Sequence, residues 1–218
     1  MAAERLRVEP ARALVGHVAV PDAGAAAPLA VGASLLAGSE LTLHDVVLQP
    51  GRTRLFDVIE HMGGRIAAFN RRRGGRPVAD LEIRPAELVA VTVERGEARA
   101  LLDDLPLFAV LAGSARGTSH VRAGTDLSDE QREWIDSVST ASRGLGIRAE
   151  TRQNGLGVRG VPTRPKGGGM DPRGDPRLAM AGVVTGLVSR EGVVIQGPDL
   201  VAVSFPGFYE LLDSVTQR

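Results

Sequence analysis

The sequence of 218 residues contains no cysteine, few aromatic residues and no excess of charge of either sign. Without cysteine there can be no disulfides, thiolate metal ligands or cysteine nucleophiles. The 26 basic residues are balanced by 26 acidic ones, so the formal net charge is zero. Proteins that bind nucleic acids usually carry an excess of Lys and Arg, which neutralises phosphates. The composition therefore predicts no nucleic-acid partner.

Long hydrophobic runs are absent as well. The longest, residues 29–37, is interrupted by Gly32 and Ser34 and is too short to span a bilayer. Residues 1–10 are charged and lack the apolar segment that secretory signals contain. We expect a cytoplasmic protein with no membrane contact.

Two patterns that could indicate a ligand site are weak. The histidines are dispersed without the spacing of metal ligands; they are His17, His44, His61 and His120. Residues 155–160 match the glycine spacing of a dinucleotide fingerprint, but no helix follows Gly160 to receive a pyrophosphate. We expect neither a metal nor a cofactor.

The chain does contain a repeated order of segments. An Ala/Leu-rich helix, a glycine and a short β-branched strand occur three times, with helices near residues 25–37, 105–116 and 178–189. Each is followed by a second helix with one apolar face, near residues 53–62, 128–143 and 207–216. The first two of these second helices lead into predicted hairpins, 65–69 with 79–83 and 146–152 with 155–161.

This order predicts one α/β (α+β) domain, residues 1–218, built from three βαβαββ units. The third unit has no hairpin before Arg218, so we expect the N-terminal strands within residues 5–21 to complete it. The units then cover about 22–100, 101–175 and 176–218, in a pseudo-threefold arrangement. The start of one helix is marked by Ser128 and Gln131, whose spacing fits a capping box.

Five strings in the same order resemble those of the enolpyruvyl transferases, with EPSP synthase the most similar. They are Val18–Pro21, Pro50–Gly63, Leu102–Pro106 with the helix after it, Gly174–Met180 and Val203–Phe208. Members of that family have two similar domains, each with helices packed inside sheets, and bind substrates between them. The resemblance covers the whole chain but only one of the two domains.

The resemblance implies an activity: transfer of the enolpyruvyl group of phosphoenolpyruvate to shikimate 3-phosphate, a step of aromatic amino acid biosynthesis. Both substrates are anionic, so the site needs Lys and Arg side chains. It also needs a base for the hydroxyl group and an acid for the methylene carbon. The implied partners are phosphoenolpyruvate or another small anion, and either a second copy of the chain or a separately encoded partner domain.

Two residues match functional positions of the family, and a third lies beside one of them. Asp103 matches the aspartate that helps deprotonate the shikimate hydroxyl; the alternative is an N-cap for the helix near Leu105. Arg177 matches an arginine that binds phosphoenolpyruvate, and we assign Asp175 beside it to the same substrate site. The alternative for Arg177 is a surface arginine that pairs with Asp175.

Other functional positions of the family carry different residues. The substrate-binding lysine falls on Glu130, the catalytic glutamate on Gln131, an arginine that binds phosphoenolpyruvate on Trp134, and a lysine on Val203. Glu130 repels a phosphate, Gln131 is no carboxylic acid, and Trp134 is expected to pack in the core. Catalysis by this chain alone is therefore not expected. Two hypotheses stay open: a transferase half that needs a partner, and a non-catalytic relic that binds a small anion or a protein.

Overall fold

The computed structural model describes residues 4–20, 23–49, 51, 53–72 and 76–218. The strands are β1 Arg5–Val8, β2 Ala13–Ala19, β3 Glu40–Val47, β4 Arg65–Arg72, β5 Val78–Arg84, β6 Thr92–Val93, β7 Gly117–Arg122, β8 Arg148–Arg152, β9 Gly155–Gly160, β10 Gly168–Met170, β11 Val193–Gln196 and β12 Thr216–Gln217. The helices are α1 Ala23–Leu35, α2 Arg54–His61, α3 Arg95–Ala98, α4 Leu105–Ser114, α5 Asp129–Gly144, α6 Pro176–Val188, α7 Asp199–Ser204 and α8 Phe208–Val215. A 3-10 turn, Leu102–Asp104, precedes α4.

Three helices form the centre of the molecule. α1, α4 and α6 contact one another pairwise, and nearly all of their residues are buried. A helix that is apolar on every side is stable only when it is covered on every side. Alanine and glycine are frequent in α1 and α6, and such small residues let helix axes approach closely.

Three sheets surround these helices, with strand orders β12-β2-β3-β5-β4, β6-β7-β9-β8 and β1-β11-β10. Each contains one parallel pair joined through a central helix: β2 with β3, β6 with β7 and β10 with β11. In each sheet the second strand of this pair also has an antiparallel neighbour: β3 pairs with β5, β7 with β9 and β11 with β1. This is the expected pseudo-threefold α/β arrangement with helices inside the sheets.

The N-terminal strands divide between two sheets. β1 pairs with β11, whereas β2 pairs with β3 in the first sheet. The expectation that both strands complete the third unit is therefore wrong for β2. The chain runs from β2 through α1 into β3, and a parallel pair needs such a crossover connection. The first strand of the third unit is instead β10, in the segment before α6.

The outer helices and hairpins follow the sequence pattern. α2 buries Leu55, Val58 and Ile59, and the predicted hairpins form as β4 with β5 and β8 with β9. At the start of α5 the backbone N–H of Gln131 donates to Ser128 Oγ, and the Ser128 N–H donates to Gln131 Oε1. The predicted capping box is confirmed.

Parts of two of the five sequence strings lie outside the described residues: Pro21 of the first, and Pro50 and Arg52 of the second. Within the described part of the chain, no helix is long and apolar enough to cross a bilayer.

Candidate functional site

The three central helices begin at the same place, and their first residues line a cleft of about 410 Å³. The lining includes Gly24 and Ala25 from α1, Asp103, Asp104, Pro106 and Leu107 around the start of α4, and Pro176, Arg177 and Met180 from α6. Ser204 and Phe205, at the end of α7, complete one wall. The cleft joins all three units of the fold.

Helix N-termini and acidic side chains both lie at this cleft. The first N–H groups of a helix have no partner within the helix, and the macrodipole places partial positive charge there. No acidic residue lies in the first turn of α1, α4 or α6. Three such ends at one cleft favour an anionic ligand, whereas the carboxylates of Asp103 and Asp104, which line the same cleft, oppose one.

Asp175 is the N-cap of α6. Its Oδ1 accepts the backbone N–H groups of Arg177 at 2.8 Å and Leu178 at 3.4 Å. Burial opposes ionisation of this carboxyl group, but the hydrogen bonds from the side chain and backbone of Arg177 outweigh that effect, so its pKa is lowered. Asp175 is thus an ionised cap that also fixes the side chain next to it.

Arg177 is held by two carboxylates. Its Nε and Nη2 donate to the two oxygens of Asp175 at 3.1 and 2.7 Å, and its Nη1 donates to Asp103 Oδ1 at 2.6 Å. The hydrogen bond with Asp175 and the charge of both carboxylates raise the pKa of Arg177 despite partial burial. The pairing with Asp175 is observed, and the substrate-binding role stays a prediction.

Trp134 lies beneath the Arg177 guanidinium, whose Cζ is 3.9 Å from the centroid of the indole ring. The indole Nε1 donates to the Leu102 carbonyl at 2.7 Å. The side chain packs against the core but is only half-buried, so the expectation of a core tryptophan is correct only in part. Through its hydrogen bond to Leu102 and its contact with Arg177, Trp134 links α5 to the 3-10 turn before α4 and to α6. Sequence spacing gave no sign of this contact, because the two residues are 43 positions apart.

Asp103 lies in the 3-10 turn and is 85% exposed. The N-cap of α4 is Asp104, so the interpretation of Asp103 as that cap is wrong. Its carboxylate bonds Arg177 instead. The structure thus brings together the three candidate site residues, Asp103, Asp175 and Arg177.

The altered positions differ in their surroundings. Glu130 is exposed in the first turn of α5, and Gln131 is used in the capping box. Val203 is 78% exposed on α7, next to Ser204 at the cleft wall. Among the described residues that line the cleft, none is a lysine. Apart from the helix ends, the positive charge of the cleft comes from Arg177.

The class that these features define is an α/β domain with helices inside three sheets and a cleft, lined by Arg177 and by Asp103 and Asp104, at the N-termini of its central helices. The EPSP synthase (3-phosphoshikimate 1-carboxyvinyltransferase) family model matches residues 2–212. The chain belongs to the EPSP synthase family.

The relatives show the extent of the match. The chain is 36% identical over 203 residues to the 3-phosphoshikimate 1-carboxyvinyltransferase of Sulfurihydrogenibium sp. (strain YO3AOP1), covering 92% of this chain and 47% of that one. The chain is also 36% identical to the Limosilactobacillus fermentum protein of the same name, and the match covers 95% of this chain and 49% of that one. An EPSP synthase structure from Acinetobacter baumannii superposes with a TM-score of 0.82 at 26% identity, covering 89% of this chain and 46% of that one. The chain therefore spans about half the length of the curated relatives it matches.

Proposed function

We propose that this chain provides one face of an enolpyruvyl transferase cleft, which binds phosphoenolpyruvate or a related small anion and needs a partner for turnover. One observation carries the proposal: the N-termini of α1, α4 and α6 meet at a cleft that contains Arg177 and Asp103. Both the helix ends and the guanidinium favour a carboxylate or phosphate there.

The proposed roles follow from the chemistry of each group. Arg177 binds the carboxylate or phosphate of phosphoenolpyruvate, with its guanidinium oriented by Asp175 and Trp134. Asp103 exchanges its bond to Arg177 for the shikimate hydroxyl and accepts the hydroxyl proton as the oxygen attacks the substituted alkene carbon. A proton must also reach the methylene carbon before phosphate leaves, and Gln131 cannot supply it. The acid must come from elsewhere.

A partner half is the proposed source of the missing groups. The family relatives are about twice as long as this chain, and the cleft contains a single basic side chain among its described lining residues. Val203, an apolar side chain, is exposed at the cleft rim. A second copy of the chain or a separately encoded domain would cover this face and supply further cations.

A non-catalytic anion- or protein-binding domain is the second candidate function. It is favoured by the two carboxylates that occupy the guanidinium of Arg177 and by the use of Gln131 in the capping box. Under this proposal Asp103 is a competitor for the bound anion rather than a base.

The test measures phosphate release from phosphoenolpyruvate and shikimate 3-phosphate, and binding of phosphoenolpyruvate by calorimetry. Arg177→Ala is the test variant, and Arg65→Ala, on an exposed strand position, is the control. Loss of phosphoenolpyruvate binding in Arg177→Ala but not in Arg65→Ala supports an anion-binding cleft. A rate of phosphate release that increases more steeply than in proportion to the chain concentration supports a cleft completed by a second copy.

Phosphoenolpyruvate binding without phosphate release at any chain concentration supports the non-catalytic candidate. Phosphoenolpyruvate binding that is unchanged in Arg177→Ala contradicts both candidate functions.

A further inference from the structure

Two histidines that are far apart in the sequence meet on the outer face of the first sheet. His17 is on β2 and His44 on β3, and the parallel register places Thr42 opposite His17 and Ala19 opposite His44. The two histidines are therefore diagonal neighbours on one face. His17 Nδ1 is 3.4 Å from His44 Nε2, with the ring centroids 5.5 Å apart. Both rings reach solvent.

A buried carboxylate orients one of these rings. The Asp80 side chain is 6% exposed, and its Oδ2 is 3.1 Å from His44 Nδ1. Because an ionised carboxylate only accepts hydrogen bonds, His44 carries its proton on Nδ1. The lone pair of His44 Nε2 is then directed toward His17.

Asp80 is itself fixed by the strands around it. It accepts the Asp45 backbone N–H at 3.0 Å and Asn70 Nδ2 at 3.0 Å, and Arg72 lies 3.2 Å away. Arg72 is shared between Asp45 and Asp80, so these three groups together carry one excess negative charge, which favours a cation beside them.

The distance of 3.4 Å between His17 Nδ1 and His44 Nε2 fits two nitrogens bound to one metal ion better than it fits a hydrogen bond. A hydrogen bond between nitrogens at 3.4 Å is long compared with the usual distance of about 2.9–3.0 Å. Two imidazole nitrogens bound to one tetrahedral Zn²⁺ at about 2.0–2.1 Å are separated by roughly 3.3–3.4 Å. A carboxylate on the far nitrogen of a ligating histidine is the usual orienting contact in such sites.

We propose that His17 Nδ1 and His44 Nε2 bind one divalent cation of the zinc class, with Asp80 as the positioning residue. No group of three or more ligating side chains occurs among the described residues, so water fills the remaining coordination positions. The site lies on β2 and β3 and uses none of the residues of the cleft. The bound ion would link two adjacent strands of the first sheet.

The test is calorimetry and thermal unfolding of the untagged, chelator-treated full chain with Zn²⁺ alone. We expect one ion per chain and a higher Tm with Zn²⁺, because the ion binds the folded state. His17→Ala, an exposed substitution that leaves the Asp80 contacts intact, should remove both effects. His61→Ala, at an exposed histidine on α2, is the matched control and should retain them.

A further variant tests the orienting carboxylate. Asp80→Asn should weaken Zn²⁺ binding about 10–100-fold, the usual effect of removing such a contact. In NMR spectra of the imidazole nitrogens, Zn²⁺ should shift His17 Nδ1 and His44 Nε2 and leave His61 unchanged. Binding that persists in His17→Ala, or the absence of binding to the parent chain at millimolar Zn²⁺, overturns the proposal.

Discussion

Arg177 is the one basic side chain among the described residues that line the cleft, and its position results from contacts with three other side chains. Asp175 and Asp103 bind its guanidinium edge, and Trp134 covers one face. A planar guanidinium suits this environment, because it can donate hydrogen bonds to two carboxylates in its plane while an aromatic ring packs on its face. A lysine could not satisfy all three contacts.

Trp134→Ala should lower the free energy of unfolding by about 2 kcal/mol, because it removes the cation–π contact and leaves the Leu102 carbonyl without its donor. Urea unfolding measures the change. Trp134→Phe keeps an aromatic face for Arg177 and loses only the donor, so it should cost less. If the two variants are equally destabilised, the ring contact with Arg177 contributes nothing to stability.

At the scale of elements, the glycines of β9 show why a motif string can mislead. Residues 155–160 have the spacing of a dinucleotide fingerprint, yet the structure gives two of the three glycines, Gly155 and Gly160, a packing reason. A Cβ on Gly155 would lie 2.0 Å from the Val121 carbonyl oxygen. One on Gly160 would lie 2.1 Å from the Ala115 oxygen and 2.4 Å from that of Ala112. β9 thus approaches β7 and the end of α4 too closely for side chains.

Gly160→Ala should destabilise the protein by about 1–3 kcal/mol, the range for overpacking, because backbone atoms cannot move aside as a side chain can. Gly169→Ala on β10 is the control, since a Cβ there meets nothing within 4 Å. Thermal unfolding compares the two. Equal Tm values for the two variants would contradict the close approach of β9 to α4.

The whole molecule is a threefold set of sheets around three helices, and its cleft is at one end of those helices. The rim of the cleft carries Val203, which is 78% exposed, beside Ser204 and Phe205. About half of each relative's sequence has no counterpart in this chain. The open cleft, with the apolar side chain of Val203 exposed beside it, is the face where we expect association.

We expect the chain to form a homodimer or to bind a partner domain through this face, and Val203→Asp to weaken the association. Sedimentation at increasing concentration measures it. Val89→Asp is a control, since Val89 is 50% exposed away from the cleft lining. A chain that stays monomeric at high concentration, and in the presence of a candidate partner, contradicts this prediction.

The sequence by itself determined the local elements and the family. Helical spacing predicted α2, α5 and α8, the pair Ser128 and Gln131 predicted the capping box, and ordered strings predicted the fold and its half-length match. These signals are local, because a cap or an amphipathic face is formed by residues a few positions apart.

Only the tertiary structure decided which distant residues meet. It placed β2 in the first sheet, Trp134 beneath Arg177, Asp103 on Arg177 rather than at a helix cap, and His17 beside His44. The spacing of the histidines along the chain had indicated no ligand pair. Strand pairing and helix packing bring such residues together, and neither is encoded in the spacing of residues along the chain.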